Sequence, residues 1–160
     1  MIRRQALRIL ASSSLLGVLP LTVRAAGAGG RPASSIPAQG LIQPADLAAV
    51  VRDAHAAKPR LLHVGFRSLY DQAHIPGSEF AGPASDAQGL RALHELFAKL
   101  PIDTSIVVYC GCCPWSHCPN IAAAYDTLTS SGFTRVRALH IPNNFGADWV
   151  DPGYPVDKTP

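Results

Sequence analysis

The chain has 160 residues, 48% hydrophobic and 16% charged, with a formal net charge of +3. This supplies one ordinary globular core and argues against a second domain. The positive balance is local: Arg3, Arg4, Arg8 and Arg24 lie near the N-terminus, and the chain without them keeps ten basic against eleven acidic residues, which excludes nucleic-acid binding driven by overall charge.

Arg3, Arg4 and Arg8 precede a mostly apolar segment from Ile9 to Val23, and small residues follow from Ala25 to Gly30. This order is that of a secretory signal peptide. The pair Arg3-Arg4, followed by Gln5, Ala6, Leu7 and Arg8, resembles the twin-arginine export signal of bacteria. The apolar segment is short for a membrane span and carries Pro20, so no permanent membrane anchor is expected. Cleavage is expected after Ala25 or Ala28, which would leave a periplasmic protein. The expected division is a signal peptide with the start of a flexible lead-in over 1–28, the rest of the lead-in over 29–40, and a folded domain over 41–158.

Gly27 to Gln39 is Gly/Pro/Ser-rich and aperiodic, as in a flexible segment, and the fold is expected to start near Leu41. Pro44 stands at a helix start, and Leu47, Val50, Val51 and Ala54 recur at helical spacing toward Lys58-Pro59. Arg60 to Val64 reads as a buried strand, with His63 a hydrogen-bonded core residue. A polar segment with Arg67, Tyr70 and Asp71 leads to His74-Ile75-Pro76-Gly77-Ser78, whose Pro-Gly pair marks a tight turn. Ser85 and Gln88 have the spacing of a capping box, and Leu90, Leu93, Leu96, Phe97 and Leu100 line one helical face until Pro101.

The apolar run Ile106-Val107-Val108-Tyr109 then delivers Cys110 into a loop that also holds Cys112, Cys113 and Cys118, all the cysteines of the chain. A strand ending on a cysteine, followed by a loop of amides and a helix N-terminus, can hold a thiolate or another anion. Clustering alone is equally open to a crosslink or a metal site. Ile121, Ala124, Tyr125 and Leu128 form the next helical stripe, Gly132 is placed as its C-terminal cap, and Arg135 to Leu139 reads as a strand. Strands alternating with helices imply an α/β fold, a doubly wound parallel sheet with helices on both faces. Ligands of such sheets bind beyond the carboxyl ends of the strands, where Cys110 lies.

Three landmarks stand in order: Leu61-Leu62-His63-Val64 with Tyr70 and His74-Ile75-Pro76-Gly77; the strand ending on Cys110; and Trp149 with Gly153-Tyr154-Pro155-Val156. Together they resemble the rhodanese-like family, from roughly Leu41 to Val156. They are similar to its Asp-Val-Arg strand and His-Ile-Pro-Gly-Ala motif, to the strand ending on its catalytic cysteine, and to its closing Trp and Gly-Tyr-Pro. The resemblance implies a sulfurtransferase: Cys110 accepts a sulfane sulfur, becomes a persulfide and passes the sulfur to a thiophilic acceptor. By position, Gly111, Cys112, Cys113, Pro114, Trp115 and Ser116 supply the substrate-binding cradle. The partners expected are a small-molecule or protein sulfur donor and a thiol acceptor, with no cofactor and no resident metal. Loop amides and the following helix N-terminus would lower the Cys110 pKa from about 8.5.

The chain also departs from the family pattern. His63 stands at the position of the family Asp and Gly65 at that of the Arg, with Arg67 nearby. The loop is longer, has three extra cysteines, and contains no Arg or Lys between Cys110 and the helix. The related cysteine phosphatases carry an Arg six positions after the nucleophile, where this chain has Ser116, which argues against a phosphatase. His74 and Pro76 are expected as turn residues and Trp149 as core; Trp115 either covers the sulfur or anchors the loop.

Two other functions fit the same residues. Cys110, Cys112, Cys113, His117 and Cys118 offer soft ligands for Cu(I) or Zn(II), although their spacing is not that of paired zinc knuckles. A disulfide-stapled interaction domain could keep the fold without its catalysis. Adjacent Cys112 and Cys113 disfavour pairing with each other, so a Cys113–Cys118 bridge is expected, with Cys112 the resolving thiol for a persulfide on Cys110.

Overall fold

The computed structural model describes residues 31–159, so the signal segment expected at the N-terminus lies outside the described residues. Five strands, β1 (Leu41–Ile42), β2 (Arg60–His63), β3 (Glu79–Phe80), β4 (Ile106–Tyr109) and β5 (Val136–Leu139), form one sheet in the order β1-β5-β4-β2-β3. Every pairing is parallel, with Leu62 opposite Val108 and His63 opposite Tyr109. Four helices accompany them: α1 (Pro44–Arg52), α2 (Arg67–Gln72), α3 (Ala87–Phe97) and α4 (Pro119–Ser130).

The continuous apolar run of β4 follows from its central place. All four of its residues are buried, and successive side chains enter opposite cores. Ile106, Val108 and Cys110 point to the core built with Leu93 and Phe97 of α3 and Ile121, Ala124 and Leu128 of α4. Val107 and Tyr109 point to the other, with Leu47 and Ala48 of α1, Ile75 and Trp149. The sheet is therefore covered on both faces, as the alternation of elements predicts. β2 leads outward to β3 while β4 leads the opposite way to β5, so the carboxyl ends of β2 and β4 form a switch point where a ligand crevice is expected.

Several landmarks read from the sequence hold. Ser78 N–H closes the Pro-Gly turn onto the Ile75 carbonyl, and Tyr109 Oη ties β4 to that turn by accepting from Ile75 N–H and bonding Ser78 Oγ at 2.7 Å. Trp149 is fully buried and donates its indole N–H to the Pro155 carbonyl. Gly132, just past α4, has a φ of 94°, the left-handed conformation of a C-terminal cap.

Other expectations need correction. The lead-in is packed from Arg31 onward: 3-10 turns at Ala33–Ser35 and Ala38–Gly40 bury Ala33 and Ile36 in the α3/α4 core, and Arg31 pairs with Asp126 of α4. Prolines that look like linker residues preset these turns, so ordered structure begins before Leu41. α1 stops at Arg52 rather than near Lys58, because the Lys58 ammonium folds back to bond the carbonyls of Val50, Val51 and Asp53. α3 is capped by Asp86, whose carboxylate accepts from Gly89 N–H, rather than by Ser85, and it ends at Phe97. Among the described residues no helix is long and apolar enough to cross a membrane.

Candidate active site

Cys110 is the first residue after β4, and its side chain enters the α3/α4 core at the carboxyl end of the sheet, 3% exposed. Gly65, just past β2, lies flat against its sulfur: a Cβ at Gly65 would stand 2.8 Å from Cys110 Sγ and 3.0 Å from His63 Cε1. Asn120, buried in the first turn of α4, donates from Nδ2 to Cys110 Sγ at 3.7 Å and to Cys112 Sγ at 3.9 Å, while its Oδ1 accepts from Ser85 N–H at 2.9 Å. One amide thus links the loop before α3 to the sulfur cluster.

The cluster is tight. Cys112 Sγ lies 3.3 Å from Cys110 Sγ and 3.2 Å from Cys113 Sγ, and the sulfurs of Cys110, Cys112 and Cys118 all lie within 4.8 Å of one another. None of the four cysteines is in a disulfide, and the bridge expected between Cys113 and Cys118 is not formed. Within the cluster the hydrogen bonds favour the charged form of Cys112 over that of its neighbours. The Cys110 and Cys118 thiols both donate to it and hold it well below the usual thiol range. Donation to Cys112 and burial push the Cys110 thiol up, against the opposing pull of Cys118 and the Cys112 N–H. Cys118 is raised by its bonds to Cys110 and Cys112, and Cys113 is pushed up to about 11, chiefly by burial. The lowering expected for Cys110 thus falls on its neighbour Cys112, while Cys110 itself is raised.

A cavity of about 750 Å³ opens beside the cluster, with Cys112, Gly111, His63, Asn144, Phe145 and Lys158 on its wall. Cys110 is not on that wall and lies behind Cys112. Gly111 fits because Phe145 packs directly on it, with Phe145 N–H donating to the Gly111 carbonyl; a Cβ there would stand 2.3 Å from that of Phe145. Of the cradle expected at 111–116, only Gly111 and Cys112 face the cavity. Cys113 touches Cys112, Pro114 is exposed, and Ser116 is exposed and bonds His117 Nδ1. Trp115 anchors the loop: its N–H donates to the Pro142 carbonyl and its ring sits edge-on to His140 at 5.1 Å. The amides of Trp115, His117 and Cys118 are spent on carbonyls, so they cannot cradle an anion.

His63 is buried against Tyr70, Phe80 and Tyr109, and burial pushes its imidazole down to about 4. Gly65 N–H approaches its Nδ1 at 3.4 Å, which leaves the proton of the neutral ring on Nε2. Arg67 is not part of the cavity wall: its guanidinium lies 3.7 Å over the Phe80 ring and 3.8 Å from the Asp71 carboxylate. The cation on that wall is Lys158. Sequence reading missed Asn120, Phe145 and Lys158, which carry no motif and reach the site only through the fold.

No family model matches the chain, and no curated protein does. Solved structures do resemble it. The rhodanese-like domain of the Alr3790 protein from Anabaena sp. superposes with a TM-score of 0.55 at 21% identity, covering 74% of this chain and 79% of that one. The fold is rhodanese-like. The BH2092 protein from Bacillus halodurans gives a TM-score of 0.57 at 19% identity, over 74% of this chain and 77% of that one. A persulfide form of an EanB variant with ergothioneine gives 0.55 at 20% identity, over 74% of this chain and 28% of that one. At these identities the rhodanese-like similarity is one of fold, and activity has to be argued from the site.

Proposed function

We propose that this protein is a sulfurtransferase or persulfide carrier that holds a sulfane sulfur on Cys110 and passes it to a thiol acceptor. The observation that carries the reading is the pair of sulfurs at the end of β4, with Cys110 Sγ 3.3 Å from Cys112 Sγ. The two sulfurs lie close enough to share one proton and one negative charge, and the nucleophile is the form of the pair in which Cys110 carries the charge as donor sulfur enters from the cavity. The Cys110 thiolate then attacks the outer sulfur of the donor, and the electron pair of the broken bond leaves with the remainder of the donor. An acceptor thiolate attacks the outer sulfur of the resulting persulfide and returns Cys110 as a thiolate. Lys158 supports this reading as the cation available to an anionic donor on the cavity wall, and Asn120 as a donor to sulfur charge.

The sulfur-transfer reading is tested by incubating the reduced protein with thiosulfate, a polysulfide or mercaptopyruvate and an acceptor thiol, and measuring sulfide release. Turnover that depends on Cys110 is expected, and equal turnover by Cys110→Ser contradicts the reading. We also propose that the protein acts in the periplasm, motivated by the order of twin arginine, apolar segment and small residues.

A further inference from the structure

We propose that Cys110, Cys112 and Cys118 form a three-thiolate site for a soft monovalent cation, Cu(I). The proposal goes beyond sulfur transfer and does not depend on it. Three sulfurs converge, two of them on buried residues and the third, on Cys112, open to the cavity. Ions that bond sulfur at about 2.3 Å in a trigonal plane need sulfurs roughly 4 Å apart. The separations here, 3.3 Å between Cys110 and Cys112 and none above 4.8 Å, are of that size.

The donor set selects the ion. Thiolates favour Cu(I) and Zn(II) over hard cations. None of the residues on the cavity wall is an Asp or Glu, so the cavity adds no carboxylate ligand. A closed Zn(II) site takes four ligands. The two other loop candidates do not converge with all three: Cys113 Sγ lies 3.2 Å from Cys112 Sγ but outside the group whose sulfurs are all within 4.8 Å of one another, and His117 is exposed and engaged with Ser116. Three sulfurs alone suit Cu(I). Asn120, which donates to two of these sulfurs, supplies the outer hydrogen bonds that orient thiolate ligands and offset their charge. Because Cys110 Sγ belongs to both arrangements, a bound ion and a Cys110 persulfide exclude each other.

The test is an anaerobic titration of the reduced, metal-free mature protein with Cu(I), in competition with a chromogenic Cu(I) chelator and with Zn(II) in parallel. One Cu(I) per chain is expected, held more tightly than Zn(II), with X-ray absorption showing three sulfur neighbours. Cys118→Ser and Cys112→Ser, each checked for fold by circular dichroism, should weaken binding at least tenfold, whereas Cys113→Ser should still bind one ion. Wild-type affinity in both ligand variants, or no binding by the wild type, overturns the proposal. Sulfur loading is read separately as added mass on metal-free protein, so failure of either reading is visible without the other.

Discussion

Gly65 and Cys110 are matched across the ends of β2 and β4 with no space between them: a methyl group on Gly65 would stand 2.8 Å from the Cys110 sulfur. This contact favours glycine at position 65, since any side chain there must displace either the sulfur or the His63 ring, 3.0 Å away. Gly65→Ala is expected to cost about 1–3 kcal/mol of stability through overpacking. It should also slow sulfur loading at least tenfold, as the sulfur is pushed from Cys112. A melting curve and a loading time course check both; unchanged loading would mean that this contact does not set the position of the sulfur.

Asn120 joins Ser85 N–H to two sulfurs. Asn120→Ala leaves that N–H without its partner and is expected to destabilise by about 1–3 kcal/mol. Asn120→Asp places a negative charge beside the thiolate, and the pH profile of alkylation at Cys112 should move upward. Urea denaturation reads the first effect and the iodoacetamide rate against pH the second.

His63 makes stability depend on pH. The unfolded chain protonates this imidazole near 6.5, whereas the buried ring resists until about 4. Its contribution is therefore fully present above pH 6.5 and is lost as pH falls toward 4, by up to about 3 kcal/mol. His63→Gln should flatten that part of the wild-type stability profile, measured by denaturant unfolding at a series of pH values. Parallel profiles for the two proteins would place the proton elsewhere.

Export is checked by intact mass from a native host. A mature chain starting at Ala26 or Gly29 is expected in the periplasm, and Arg3-Arg4 changed to Lys-Lys should block its appearance there. Normal export of that variant would contradict the twin-arginine route.

Much of the fold was legible because it is written in local chemistry. The buried run Ile106–Tyr109, the Pro-Gly turn, the Gly132 cap and the buried Trp149 each follow from residue type and spacing. The site was legible only as far as Cys110, Gly111 and Cys112. Asn120 looks like any polar residue in the first turn of a helix until α4 aims its amide at the sulfurs. Phe145 and Lys158 reach the cavity from far along the chain. The lead-in misread has the same cause, since nothing local in Ala33 and Ile36 announces the α4 surface they cover.

The most direct test of the sulfur-transfer account is where the sulfur goes. Reduced, metal-free protein is loaded with thiosulfate, a polysulfide or mercaptopyruvate, weighed intact, and mapped by peptide under non-reducing conditions. The account predicts a gain of about 32 Da, one sulfur atom, on Cys110. Cys112→Ser should form the same adduct more slowly, and Cys110→Ser should form none while remaining folded. An adduct that survives Cys110→Ser and maps to Cys112 would contradict the assignment of the nucleophile.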